Sequence, residues 1–144
     1  QLFETYCGSI PYDLYTELIL PFSQKILNSA KKLNCPTIFF PKDYSLGLKN
    51  INNSICDFVS VDWHISLPEA RKLVDNGVGL QGNMDPRIFY YEFDTIKKYL
   101  NSLNEFGSKN SNWIFNLGHG FLPDIDHLKV KKTVQWIKKN NWNR

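Results

Sequence analysis

Phe58-Val59-Ser60-Val61-Asp62 is a short, mostly apolar run. Trp63-His64-Ile65-Ser66 breaks it, and Leu67-Pro68-Glu69-Ala70-Arg71-Lys72-Leu73-Val74 follows. Pro68 stands where a first-turn proline opens a helix behind the Ser66 cap region, and Asn76-Gly77 lies just past the end. The stretch therefore reads as strand, turn and helix. Four more strand candidates share this character: Leu2–Tyr6, Thr37–Phe40, Val78–Gln81 and Trp113–Leu117. β-branched or aromatic residues dominate most of them, as expected of strands covered on both faces.

Helical pattern fills the gaps. From Tyr12 to Leu33, apolar Leu14, Leu18, Phe22 and Ile26 recur every four residues and Ala30 continues the stripe, with Pro21 expected to kink or divide the helix. Phe93 to Phe106 reads as a helix ended by Gly107. Asp124 or Asp126 can cap a last helix on which Val130, Val134 and Ile137 share one face and the lysines the other. Strands alternating with helices imply a parallel sheet. Five units in 144 residues average about 29 residues each, and an eight-unit barrel of roughly 250 residues averages about 31. The fold class expected is thus α/β, the C-terminal five βα units of a TIM (β/α)8 barrel, with residues 1–144 forming a partial single domain. A complete five-stranded doubly wound domain has a similar length, but it would normally carry a glycine-rich phosphate loop after its first strand. Cys7-Gly8-Ser9 offers one glycine there.

Composition narrows the class. At 42% hydrophobic and 15% aromatic, the chain can bury a core, and no apolar run approaches the roughly 20 residues a membrane helix needs. The net charge of +3 gathers partly in Lys129, Lys131, Lys132, Lys138 and Lys139. Without aromatic interleaving or a nucleic-acid motif, these read as a solvated helix face, so no nucleic-acid partner is expected. Cys7, Cys35 and Cys56 are odd in number and far apart. That argues against a disulfide framework and fits a reducing compartment. The N-terminus shows no basic leader, so localisation is expected to be cytoplasmic, or a plastid-like organelle if a targeting segment was removed upstream.

In parallel α/β folds, function gathers at the carboxyl ends of the strands. The polar and aromatic residues there are Thr5 and Tyr6, Lys42 and Asp43, Asp62 and Trp63, then Gln81 to Pro86, and finally Asn116-Leu117-Gly118-His119-Gly120. Gly118 and Gly120 flank His119, so the backbone can turn sharply and present an imidazole able to bond a carboxylate or shuttle a proton. A histidine that merely caps the loop would leave the same pattern. Gln81 to Pro86 suits a tight loop in which Asn83 or Asp85 caps the next helix with Pro86 at its first position. Asp62 is a candidate base or a buried carboxylate bonding backbone amides. No His-x-Cys, His-x-His or His-Glu-x-x-His occurs, so no metal site is expected from spacing.

These segments also carry a family resemblance. Gln81-Gly82-Asn83-Met84-Asp85-Pro86 is similar to the QGNLDP stretch of uroporphyrinogen decarboxylases. Asn116 to Gly120 matches their NLGHG, Val61-Asp62-Trp63 resembles LDW, and Gln1-Leu2-Phe3-Glu4-Thr5 resembles QLFES. Phe39 to Asp43 resembles a segment that often ends in KD. The likeness spans nearly the whole chain in matching order.

The resemblance implies a single (β/α)8 barrel, usually a homodimer. It also implies a lyase that removes the four acetate carboxyl groups of uroporphyrinogen as CO2, giving coproporphyrinogen in porphyrin and heme biosynthesis with no cofactor. His119 falls on the family's substrate-binding histidine and Thr5 on its serine, a departure that keeps the hydroxyl and adds a methyl. Phe3 lines the same mouth. The family's PxWxMRQAGR motif, catalytic aspartate and substrate-binding tyrosine match nothing here. No catalytic residue is therefore assigned in this chain, and the isolated segment is expected to be inactive. Corrinoid-linked methyltransferases share the barrel, but they bind zinc through a His-x-Cys where Phe40-Pro41-Lys42-Asp43 stands. A non-catalytic porphyrin-binding barrel is the remaining alternative.

Overall fold

The computed structural model describes residues 1–140. Its strands are β1 (Leu2–Glu4), β2 (Ile38–Pro41), β3 (Phe58–Ser60), β4 (Gly79–Met84) and β5 (Trp113–Leu117). All pair in parallel, and their spatial order is simply β1-β2-β3-β4-β5. A doubly wound sheet reverses its strand order at a switch point. This sheet does not, so it is an arc of a singly wound barrel, unclosed, with β1 and β5 as its edges.

The pleat sorts side chains into two faces. Leu2, Phe39, Val59, Leu80 and Trp113 stand in one register row, and Phe3, Phe40, Ser60, Gln81 and Ile114 in the other. The first row joins the main core with Leu27, Leu67 and Ala70 of the helices. A second core of Met84, Phe89, Ile96 and Leu100 forms between β4, β5 and the last helices, and Phe115 touches both. The other row lines the concave side, where Phe3 stays 61% exposed.

Helix α1 (Tyr12–Leu14) runs through a π-turn at Tyr15–Ile19 into α2 (Leu20–Lys31), whose first turn holds Pro21. The helix is thus divided at the proline, as its ring requires. The stripe expected to be buried is not. Tyr15, Leu20, Ser23 and Leu27 face the sheet, whereas Leu14, Leu18, Phe22 and Ile26 are large and exposed. Two apolar stripes compete on this helix, and the π-turn inserts an extra residue that rotates one past the other. Leu27→Ala should therefore cost about 2–5 kcal/mol, while Leu18→Ala should stay within about 0.5 kcal/mol. Urea denaturation of the two variants checks this, and equal losses would contradict the assignment of faces.

Helix α3 (Leu67–Leu73) opens on a complete capping box, Ser66 Oγ accepting from Glu69 N and the Glu69 carboxylate from Ser66 N. Gly107 does not end the next helix. The chain breaks earlier, between α4 (Phe93–Ser102) and α5 (Asn104–Lys109), and Gly107 lies inside α5. In α6 (His127–Lys139), Asp126 is the cap, accepting from Leu128 N, while Asp124 accepts from the Tyr90 hydroxyl. Its packed face is Val130, Thr133, Trp136 and Ile137; Val134 is exposed. A buried threonine on that face disguised it. Among the described residues no helix is long and apolar enough to cross a membrane.

Candidate functional site

Following the strands to their carboxyl ends leads to a cleft of about 190 Å³ lined by Gln1, Phe3, Phe40, Ser60, Asn116, Leu117, His119 and Gly120. The register explains the grouping. Phe3 pairs with Phe40 across β1 and β2, and their rings meet edge to face at 6.2 Å. His119 closes the other side, with its ring 6.4 Å from Phe40 and 6.2 Å from Trp63. Gln81 ties two lining residues together, its Nε2 donating to Ser60 Oγ at 3.2 Å and to Gln1 Oε1 at 3.4 Å. Phe3 and His119 thus share one cleft. Thr5 lies in the turn after β1, exposed and outside the lining.

The glycines beside His119 work differently from the turn expected of them. A Cβ on Gly118 would lie 2.7 Å from Trp63 N and 3.0 Å from Asp62 C, whereas one on Gly120 would meet nothing within 4 Å. Gly118 is therefore a close-approach residue that lets the His119 loop lie against the end of β3. Its N–H donates to Met84 O at 2.8 Å.

Gln81 to Met84 are strand rather than loop, and Asp85 alone is the cap, accepting from Arg87 N at 2.8 Å with Pro86 in the first turn behind it. Asn83 instead ties β4 to the loop after β3, donating to Asp62 O at 2.9 Å and Ile65 O at 2.6 Å. Asp62 is buried and takes the amide-bonding role: its carboxylate accepts from Asp43 N at 2.7 Å and His64 N at 2.9 Å.

Asp43, Asp62 and His64 place potential ligand atoms within 4.8 Å of one another. Sequence spacing misses such a group because neighbouring strand ends, not one motif, assemble it. Its carboxylate oxygens already face protein nitrogens: Lys42 Nζ, the two amides, and His64 Nδ1, which is 2.8 Å from Asp43 and 3.3 Å from Asp62.

Arg87 went unnoticed in the sequence, although Asp85-Pro86-Arg87 was its available signal. The guanidinium forks onto Asp85, with Nε 2.9 Å and Nη2 2.6 Å from Oδ2, and its carbon sits 5.5 Å from the Trp63 ring centroid.

Charge pairing at these loops sets an acid dependence. Burial pushes the Asp43 carboxyl up, but Lys42 and His64 outweigh it and hold it below the usual carboxylate value. The Arg87 hydrogen bonds hold Asp85 down likewise. Depressed folded values add stability above the unfolded carboxylate pKa of about 3.9, and this is lost as pH falls through the folded values. Urea midpoints are thus expected to hold between about pH 7 and 5 and to drop below about pH 4. A flat profile down to about pH 3 would contradict the pairing.

Comparison with known proteins bears on the whole arc. The family model described as Uroporphyrinogen decarboxylase (URO-D) matches residues 1–140. A protein of Francisella philomiragia named uroporphyrinogen decarboxylase is 37% identical over 142 residues, covering 96% of this chain and 41% of the relative. One of Chlorobium phaeovibrioides with the same name is 35% identical over 146 residues, covering 98% of this chain and 42% of the relative. The chain spans about two fifths of the length of the curated relatives it matches. Neither the methyltransferase nor the non-catalytic alternative gains support from these matches.

Proposed function

This chain belongs to the uroporphyrinogen decarboxylase family, and on that premise we propose that it is the carboxyl-terminal five-unit part of a uroporphyrinogen decarboxylase barrel. The complete enzyme converts uroporphyrinogen III to coproporphyrinogen III, releasing the four acetate carboxyl groups as CO2, without metal or organic cofactor and as a homodimer. The observation that carries the reading is the cleft where His119 faces Phe3 and Phe40 at the carboxyl ends of the strands.

That cleft suits one edge of a flat, polyanionic macrocycle. Phe3 and Phe40 offer aromatic faces to pyrrole rings and His119 donates to a carboxylate, while Thr5, in the exposed turn after β1, keeps the hydroxyl of the family's serine. At about 190 Å³ it falls short of the roughly 300–1,000 Å³ typical of complete ligand pockets. The rest of the mouth is assigned to residues outside these 144. Those residues include the arginines that hold the other carboxylates and the aspartate that stabilises the protonated pyrrole serving as electron sink.

The test is anaerobic turnover of the full-length polypeptide, with porphyrins separated by carboxylate number. Accumulation of the four-carboxylate product supports the reading, and untouched uroporphyrinogen overturns it. The 144-residue chain alone is expected to form no product; measurable turnover by it would refute its being half of a site.

A further inference from the structure

The geometry points to Trp63 as a positioning residue for His119, with Arg87 and Asp85 as its brace. This rests on the proposed role of His119 as a ligand for a substrate carboxylate. His119 itself sits on an exposed loop, and an exposed imidazole samples several rotamers unless something limits it. Trp63 limits it twice. Its backbone N is the atom nearest to where a Gly118 Cβ would stand, so the His119 loop lies directly on it. Its indole then meets the imidazole at 6.2 Å and 76°, an edge-to-face pair.

The indole needs its own support, and Arg87 supplies it, centred 5.5 Å from the ring. Arg87 cannot swing freely because its fork is held by both oxygens of Asp85. Asp85 is in turn fixed at the start of the turn after β4, where it accepts from Arg87 N. A line of contacts thus runs from the end of β4, through the loop after β3, to the loop after β5. Trp63 and Arg87 lie outside the cleft lining, and their proposed effect runs through His119.

The experiment uses the full-length polypeptide with Trp63→Leu, Trp63→Phe, Arg87→Gln and His119→Ala, plus the Trp63→Leu/His119→Ala double variant. Trp63→Leu should raise KM for uroporphyrinogen about threefold to tenfold with kcat nearly unchanged, the loss of an edge-to-face contact. Arg87→Gln should raise it about twofold to fivefold. Trp63→Phe, which keeps an aromatic edge, should restore most of the loss. The double variant should match His119→Ala, because the two residues act as one. In NMR spectra, the His119 ring resonances should move toward those of a free imidazole in Trp63→Leu and Arg87→Gln. Fully additive KM effects, or unmoved His119 resonances, would overturn the proposal. If Trp63→Leu does not fold, the exposed Arg87→Gln change decides by the same readouts. A parent without turnover would sink the decarboxylase reading alone, since the resonances still report whether Trp63 and Arg87 hold His119.

Discussion

Replacing His119 by alanine in the full-length polypeptide raises KM for uroporphyrinogen about 10- to 100-fold and leaves kcat within a few-fold. A hydrogen bond to a charged group contributes about 1.5–3 kcal/mol, and each 1.4 kcal/mol is one decade. The imidazole borders the cleft, and in the role proposed for it its loss is expected to remove binding common to ground and transition states. That signature is a KM effect. Steady-state kinetics with separation of the partly decarboxylated intermediates measure it. A kcat loss of several decades at constant KM would instead make His119 a proton donor in the reaction.

Replacing Gly82 by alanine destabilises the protein by about 3–5 kcal/mol, a large part of a typical folding free energy. Gly82 has φ +128, which side chains rarely adopt, and its Cβ would stand 2.5 Å from Val61 O. Both neighbours are pinned: Val61 N donates to Gln81 O at 2.8 Å, and Gly82 O accepts from Trp113 Nε1 at 2.8 Å. Neither strand can yield without losing a buried bond. Gly120→Ala, with nothing within 4 Å, should change stability by less than about 0.5 kcal/mol. Denaturant midpoints of the two variants compare them directly, and equal midpoints would remove the packing argument.

Most of the strands were legible because each is a short run rich in β-branched or aromatic residues and bracketed by turn residues. The exception is β4, Gly79-Leu80-Gln81-Gly82-Asn83-Met84, which holds none of these, and its second half was expected to be a loop. Ser66 and Pro68 marked the start of α3 for the same local reason. Helix faces were less legible. Leu14, Leu18, Phe22 and Ile26 make the cleaner stripe, yet the buried side contains Ser23, and α6 buries Thr133. A hydroxyl on a packed face hides the period.

At the site, His119 stood out through its flanking glycines, although only Gly118 is required to be small, and for contact rather than for turning. Thr5 drew its interest from resemblance, and its exposed turn shows why spacing alone passed over it. The Asp43–His64 contact and the Trp63–Arg87 stack join different strand ends. No short motif can express either, because the sheet brings them together.

The strictly sequential strand order has a consequence for how the chain finds its structure. Leu2 meets Phe39, Ile38 meets Phe58, Phe58 meets Gly79 and Leu80 meets Trp113, so each strand's partner is always the next one made. Loop-closure entropy rises only logarithmically with length, and none of these closures spans more than two α-helices. The conformational search divides into a series of similar short steps, each ending on the edge the previous step created.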